Sequence, residues 1–141
     1  MVTSASPCTW ATAAIWPSTG TVLELHPIIR EETYRIGREA LINALTHSEA
    51  RNIEAEITYD SQVFRLRIRD DGRGVDPDVL KKGGRANHWG LQGMREHAKR
   101  IGAQLELWSR LGSGTEVELT VPAATAYRSP DGKPTDSRSR V

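Results

Sequence analysis

The stretch Val63-Phe64-Arg65-Leu66-Arg67-Ile68-Arg69-Asp70-Asp71-Gly72-Arg73-Gly74 decides how this chain folds. From Val63 to Arg69, large apolar side chains alternate with arginines, the period of two expected for a strand with one wet and one buried face. The strand then runs into carboxylates and glycines, where the backbone must turn. Two glycines one residue apart permit positive φ and let the backbone approach a flat ligand closely. A carboxylate at the strand end can accept a hydrogen bond from an exocyclic amine, such as N6 of adenine. Taken alone, this turn fits an ordinary Asp/Gly loop equally well.

The flanking sequence supplies the rest of the sheet and its cover. Ile53-Glu54-Ala55-Glu56-Ile57-Thr58-Tyr59 alternates in the same way, and the turn at Asp60-Ser61 joins the two strands into a hairpin. Upstream, Pro27 suits a first helical turn, and a helical run follows to about His47. At about 100° per residue, Ile36, Ala40, Ala44, Gly37, Leu41, Tyr34 and Leu45 share one broad arc predicted to pack on the sheet. Downstream, Asp70 to Asn87 reads as loop, with one helical turn near Pro77–Lys81. Leu91 to Ile101 reads as a second helix ended by Gly102. Gln104–Ser109 and Thr115–Val121 read as a second hairpin. Helix, hairpin, loop, helix, hairpin predicts an α+β fold: a two-layer sandwich with a mixed, mostly antiparallel sheet and helices on one face.

Composition narrows the function classes. At 141 residues, 38% hydrophobic and 26% charged, the chain has the length of one domain with one core. A net charge of +1 excludes the strong basic bias of a nucleic-acid binder. A single cysteine, Cys8, excludes an internal disulfide framework and fits a reducing, cytoplasmic setting. Val2 to Leu23 is too polar for a membrane span and lacks the basic start of a signal peptide, so no membrane contact is expected of this fragment, whether or not a parent protein is anchored. Residues 1–19 carry no charge and no clear periodicity and stay unassigned, although Trp10, Ile15 and Trp16 have the bulk to edge onto a core. Residues 128–141 are polar and rich in Pro, Gly and Ser, a composition predicted to be disordered.

Two further patterns carry chemistry. Glu39, Asn43 and His47 stand at i, i+4 and i+8, in one line along the border of the helix's apolar arc. An Asn amide oxygen suits Mg²⁺, which takes one or two protein oxygens beside water and phosphate, and a nearby carboxylate can orient or deprotonate a water. The same spacing also describes a solvated helix flank. Further on, Gly83-Gly84 and Gly90-Leu91-Gln92-Gly93-Met94 bracket the start of the second helix. Free backbone N–H groups and the helix dipole there suit phosphate oxygens. Lys81, Lys82, Arg85 and His88 add positive charge, though no Walker A sequence is present.

In this order, the pieces resemble the Bergerat-fold (GHKL) ATPases of gyrase, histidine kinases and MutL. Glu39-x-x-x-Asn43 is similar to their N box, Asp70-x-Gly72-x-Gly74 to the G1 box, and Gly90-Leu91-x-Gly93-Met94 to the G2 box. Gly114-Thr115 is similar to the closing element. The phrase Arg38–His47 resembles the NarL/DesK-like class of sensor kinases. His88–Glu96 resembles kinases whose sensors carry β-propeller repeats. The similarity runs over residues 20–127, the expected catalytic domain.

The resemblance implies that ATP and Mg²⁺ are the cofactors. Asp70 would bind the adenine amino group, with Gly72 and Gly74 shaping the base pocket and Thr115 near its adenine side. Asn43 would ligate Mg²⁺, Glu39 would act catalytically on the acceptor or a water, and His47 and His88 would sit near the phosphates. Gly90, Leu91 and Gly93 would line the triphosphate beneath a lid of residues 76–89. The implied partners are the phospho-acceptor histidine domain of a homodimeric parent and, indirectly, a response regulator. Autophosphorylation is not expected of the fragment alone, because His26 precedes a proline and has no long helical partner. Three departures from the family pattern are Thr46, where a basic residue is common, Asn87, where glycine is frequent before His88, and His97, where arginine is common. A dimer-clamp ATPase using Glu39 as general base and an anti-sigma-type serine kinase remain as rival readings.

Overall fold

In the computed structural model, residues 12–17, 23–46, 49–76, 78 and 90–128 are described below. Strand β1 (Thr12–Pro17) precedes helix α1 (Pro27–Thr46), which is followed by β2 (Asn52–Tyr59) and β3 (Val63–Asp70). Helix α2 (Leu91–Arg100), strands β4 (Gln104–Arg110) and β5 (Gly114–Pro122) and the one-turn helix α3 (Ala123–Ala126) complete the order. The sheet runs β1-β2-β3-β5-β4. It is antiparallel except for β1, which pairs parallel to β2.

Thus the α+β architecture, the mostly antiparallel sheet and both hairpins agree with the sequence. The parallel edge strand does not appear in the sequence reading. Thr12–Pro17 has no alternation of charge and apolarity to mark it, because its partner strand alone fixes its place. The expected helical turn near Pro77–Lys81 and the tail beyond Arg128 lie outside the described residues.

The alternation sorts the two faces as polarity demands. Phe64, Leu66 and Ile68 of β3 are buried with Val117, Leu119 and Val121 of β5, and Ile53 of β2 joins them. The arginines of β3 point the other way into cross-strand pairs: Arg67 to Glu56 (3.0 Å) and Glu116 (3.4 Å), Arg69 to Glu54 (2.5 Å), and Arg65 to Glu118 (3.6 Å). Such half-exposed pairs contribute little to stability but keep the open face soluble and in register.

Helix α1 lies on the buried face through Ile29, Ile36, Ala40 and Ala44. Gly37 lets it approach closely, since a Cβ there would stand 3.2 Å from Leu66 Cδ2. The predicted arc was too wide. Tyr34 and Leu45 are 68% and 40% exposed, because the buried stripe is centred on Ile36 and Ala40 and both lie on the far side of the helix. Their places in the stripe are taken by Glu32 and Thr33, both buried.

Buried Glu32 is bonded by His97 of α2, and Arg100 stands 3.9 Å from its other oxygen. A buried carboxylate needs such partners, so this cluster fixes how the two helices meet. Met94, fully buried, fills the space between them and the sheet. At the far end, the Tyr127 hydroxyl accepts the Asp60 N–H (3.0 Å) and reaches the carbonyls of Asp60 (2.9 Å) and Val63 (3.0 Å), pinning the β2–β3 turn.

Candidate nucleotide site

Register brings one row of side chains to the end of the buried face. Asp70 pairs with Ile53 on one side and Thr115 on the other, and Thr115 pairs with Ser109. The apolar ladder of β3 therefore terminates in a carboxylate, one step beyond Ile68. Asp70 is only 7% exposed. Its Oδ1 accepts the Gly72 N–H at 2.9 Å, and the Thr115 N–H also bonds the carboxylate. Burial raises its pKa above the ordinary carboxylate value, and the two N–H bonds offset only part of that shift. A carboxylate held in apolar surroundings with lone pairs to spare is poised for a ligand donor.

The next residue has a different task. Asp71 accepts the Arg51 N–H (2.8 Å), the Asn52 N–H (2.9 Å) and the Asn52 side-chain amide (2.7 Å). Burial pushes its pKa up, but the bonds from Asn52 and Arg51 outweigh it and hold the group low. Of the two adjacent acids, one anchors the start of β2 and the other faces the site.

The glycine turn is locked to the β4–β5 hairpin. Gly74 has φ 69°, and a Cβ there would lie 2.0 Å from the Arg110 carbonyl oxygen. Gly114 has φ 99° and would clash equally with the Asp70 carbonyl. Only glycine permits these two backbone crossings. Gly72 is not among the positive-φ residues and serves by offering its N–H to Asp70. The Gly112 N–H bonds the Arg73 carbonyl at 2.7 Å, closing the contact. Next to it opens a cavity of about 550 Å³, lined by Asp70, Arg95, Leu107, Ser109, Gly114 and Thr115 among others.

The second cluster approaches the same end. Chain leaving α1 at Thr46 enters β2 at Asn52, which is tied to Asp71, so the C-terminal half of α1 lies toward the Asp70 end of the sheet. Glu39 and Asn43 stand there, both half-buried. Gly90, with φ 66°, caps the start of α2, and a Cβ on it would sit 2.6 Å from Glu39 Oε2. The Glu39 carboxylate and the glycine-led helix start are thus adjacent. Leu91 buries its side chain in the core, leaving only its backbone to face a ligand. A Cβ on Gly93 would meet nothing within 4 Å, so the first turn of α2 is open on that side. His47 and His88, and the basic residues Lys81, Lys82 and Arg85, lie outside the described residues.

Among the described residues, no three His, Cys, Asp or Glu side chains gather around a common point. An Asn oxygen working with phosphate and water does not need such a cage. The residues present therefore fit a nucleotide with its metal: a buried acceptor at the base end, glycines where backbone must come close, and an amide at the helix end.

A sequence profile of the family described as "Histidine kinase-, DNA gyrase B-, and HSP90-like ATPase" matches residues 29–125. The chain belongs to this family. The matched span covers every strand of the sheet except β1 and both clusters above. The sensor histidine kinase LiaS of Bacillus subtilis is 34% identical over 94 residues, which are 67% of this chain and 25% of that protein. Sensor protein VraS of Staphylococcus haemolyticus is also 34% identical over 94 residues, 67% of this chain and 26% of its own. The histidine kinase domain of the blue-light activated kinase from Erythrobacter litoralis shares the fold at TM-score 0.60 and 20% identity, over 82% of this chain and 52% of that one. The chain spans about a quarter of the length of the curated relatives it matches. As a family member, it is an ATP-binding domain of histidine-kinase type.

Of the residues named from the sequence, the structure brings Asp70, Gly72, Gly74 and Thr115 together at one end of the sheet and sets Glu39 beside Gly90. The sequence reading did not name Ser109, whose hydroxyl accepts the Val75 N–H (2.6 Å) and bonds Thr115 Oγ1 (2.8 Å) in the same row. A signal existed: Ser109 is the sole hydroxyl at an inward position of β4, after Leu105 and Leu107.

Proposed function

We propose that this chain binds Mg-ATP and presents the γ-phosphate to a histidine on a separate dimerisation domain of a sensor kinase. The carrying observation is the buried Asp70 at the end of an apolar row, beside Thr115 and an open cavity, with glycines crossing the backbone at the same point. Asp70 accepts from the adenine amine, and Thr115 offers its hydroxyl along the same base edge. Gly72 and Gly74 shape the floor beneath the ring. At the other end, Asn43 and Glu39 face the phosphates across the α2 N-terminus, whose Gly90, Leu91 and Gly93 backbone lies along them. His47 and His88, which lie outside the described residues, are assigned to the phosphates from the sequence resemblance alone.

Mg²⁺, when bound, supplies charge neutralisation for phosphoryl transfer. This chain's own residues bind and aim: Asn43 offers an amide oxygen, Glu39 polarises the acceptor, and no covalent step falls to the protein. The expected context is a homodimeric parent, a cytoplasmic location for this domain and a response regulator downstream. His88–Glu96 supports a parent with a β-propeller sensor. No helix among the described residues is long and apolar enough to cross a membrane.

The test supplies labelled ATP to the chain with and without the helical dimerisation region of its parent. Label on a histidine of the added region, and none on the chain alone, is the expected result. Strong labelling of the chain alone at His26 or His47 overturns the proposal. Steady ATP hydrolysis abolished by Glu39→Ala favours the clamp-ATPase reading instead.

A further inference from the structure

Helices α1 and α2 meet at two polar points. Glu39 stands against Gly90, where a Cβ would lie 2.6 Å from its Oε2, and Glu32 is bonded by His97 Nδ1. Going from Glu39 back to Glu32 on α1 matches going from Gly90 on to His97 on α2. The helices therefore run antiparallel, with the two points about two turns, or about 10 Å, apart along each. Ile36 and Met94, both fully buried, fall between those points on their helices.

One end of this seam belongs to the proposed phosphate site, and the other holds it in place. The start of α2 has no side-chain cap, only Gly90 in the left-handed region. Its place against Glu39 therefore depends on how the rest of the helix is held. Leu91, Met94 and Ala98 supply buried apolar contacts, which are non-directional, whereas the Glu32–His97 bond has direction. A helix of 10 residues is a rod of about 15 Å, so a shift at His97 reaches Gly90.

The surroundings make His97 the group that sets the strength of this bond. The Glu32 side chain is 6% exposed, so its charge depends on protein partners. Arg100 is 3.9 Å from its other oxygen and 61% exposed, a weak second cation. Arg35 of α1 is engaged by Glu31 at 2.8 Å. On α2 itself, Glu96 accepts from Gln92 (3.4 Å), and Lys99 is exposed in the last turn. Strand β4 also packs on α2. It turns Leu105, Leu107 and Ser109 inward, while Glu106 lies on the open face and accepts from Gln104 (2.8 Å).

Imidazole ordinarily changes charge between about pH 5 and 8. Whichever atom holds the bridging proton, deprotonation leaves a buried carboxylate against a neutral ring. Contact persists in both states, but only the state at lower pH is fully charge-assisted, and such bonds are about twice as strong.

We propose that His97 is a positioning residue for the nucleotide: its pair with Glu32 seats α2 so that Gly90 and the amides after it meet the phosphates, and rising pH loosens that hold. The inference rests on reading Glu39 and the start of α2 as the phosphate end of an ATP site. Protonation favours the seated helix, so phosphate binding is strongest at low pH and falls as the imidazole loses its charge.

The test is calorimetric titration of the chain with Mg-ATP and with adenosine at about pH 6 and about pH 8.5, in wild type, His97→Arg and His97→Gln. ATP and Asp70 also titrate, so the quantity read is wild-type affinity relative to His97→Arg, in which those effects cancel. For ATP the two proteins are expected to bind equally at the lower pH, with wild type about fivefold weaker at the higher. For adenosine, which lacks phosphates, the ratio is expected to stay constant. His97→Gln, neutral throughout, is expected to match wild type at the higher pH and to bind ATP about fivefold more weakly at the lower. A ratio for ATP that does not change with pH overturns the inference. An equal change for adenosine overturns it too, because a merely structural pair would loosen the whole site. If His97→Gln does not fold, the His97→Arg ratios decide alone. Failure of wild type to bind ATP at either pH overturns the underlying site reading, a distinct result.

Discussion

Replacing Asp70 by Asn separates the two roles of this residue, and the structure gives the sign of each. The amide keeps one oxygen, enough for the Gly72 and Thr115 N–H groups that the carboxylate now accepts. Its other end becomes an NH₂ donor facing the donor on adenine. Loss of a charge-assisted bond and creation of a donor–donor contact costs about 1.5–3 kcal/mol, or about 10- to 150-fold in ATP affinity. Stability moves the other way. Burial raises the folded pKa of Asp70 above its ordinary 3.8, so the protonated form favours the fold. That contribution is full below about pH 3.8 and is lost as pH rises through the raised value. At neutral pH the wild-type carboxylate carries a desolvation cost that Asn does not. Asp70→Asn should therefore melt no lower than wild type at pH 7, and its advantage should shrink as pH falls through the carboxylate range. Calorimetric titration with ATP and thermal melting at several pH values measure both. Wild-type affinity in the variant, or a melting temperature lowered by several degrees at pH 7, refutes the reasoning.

Four other outcomes follow from the glycines and from Tyr127. Gly114→Ala should destabilise by about 2–5 kcal/mol in urea unfolding, because its Cβ meets the Asp70 backbone. Gly112→Ala, also at positive φ but in open space, should cost only about 1–2 kcal/mol. Gly90→Ala must push Glu39 aside, so phosphoryl transfer should fall more than ATP affinity, read as turnover against Kd. Tyr127→Phe should lose about 1–2 kcal/mol of stability at the β2–β3 turn while leaving ATP affinity unchanged.

Legibility in the sequence followed the strength of local pattern. The β3 alternation was readable because arginines and large apolar residues leave one arrangement of faces, and the hairpins follow from it. β1 was not, since a strand held by its neighbour's edge needs no pattern of its own. The exposure of Tyr34 and Leu45 was missed because hydrophobicity places a residue on an arc but not at its centre, and buried Glu32 shifted that centre. In the site, Asp70 and Gly74 announced themselves through glycine spacing. Which of Asp70 and Asp71 faces the cavity follows from register, and the coupling of Ser109 to Val75 joins residues distant in sequence.

The central claim is that Glu39, Asn43, Asp70 and the glycines between them form one Mg-ATP site. Calorimetric titration of the chain with ATP, with and without Mg²⁺, tests it most directly. The account predicts one saturable site whose affinity rises with Mg²⁺ in wild type, with that gain lost in Asn43→Ala and overall binding weakened about tenfold or more in Asp70→Asn. Absence of binding, or a Mg²⁺ gain that survives in Asn43→Ala, would contradict it.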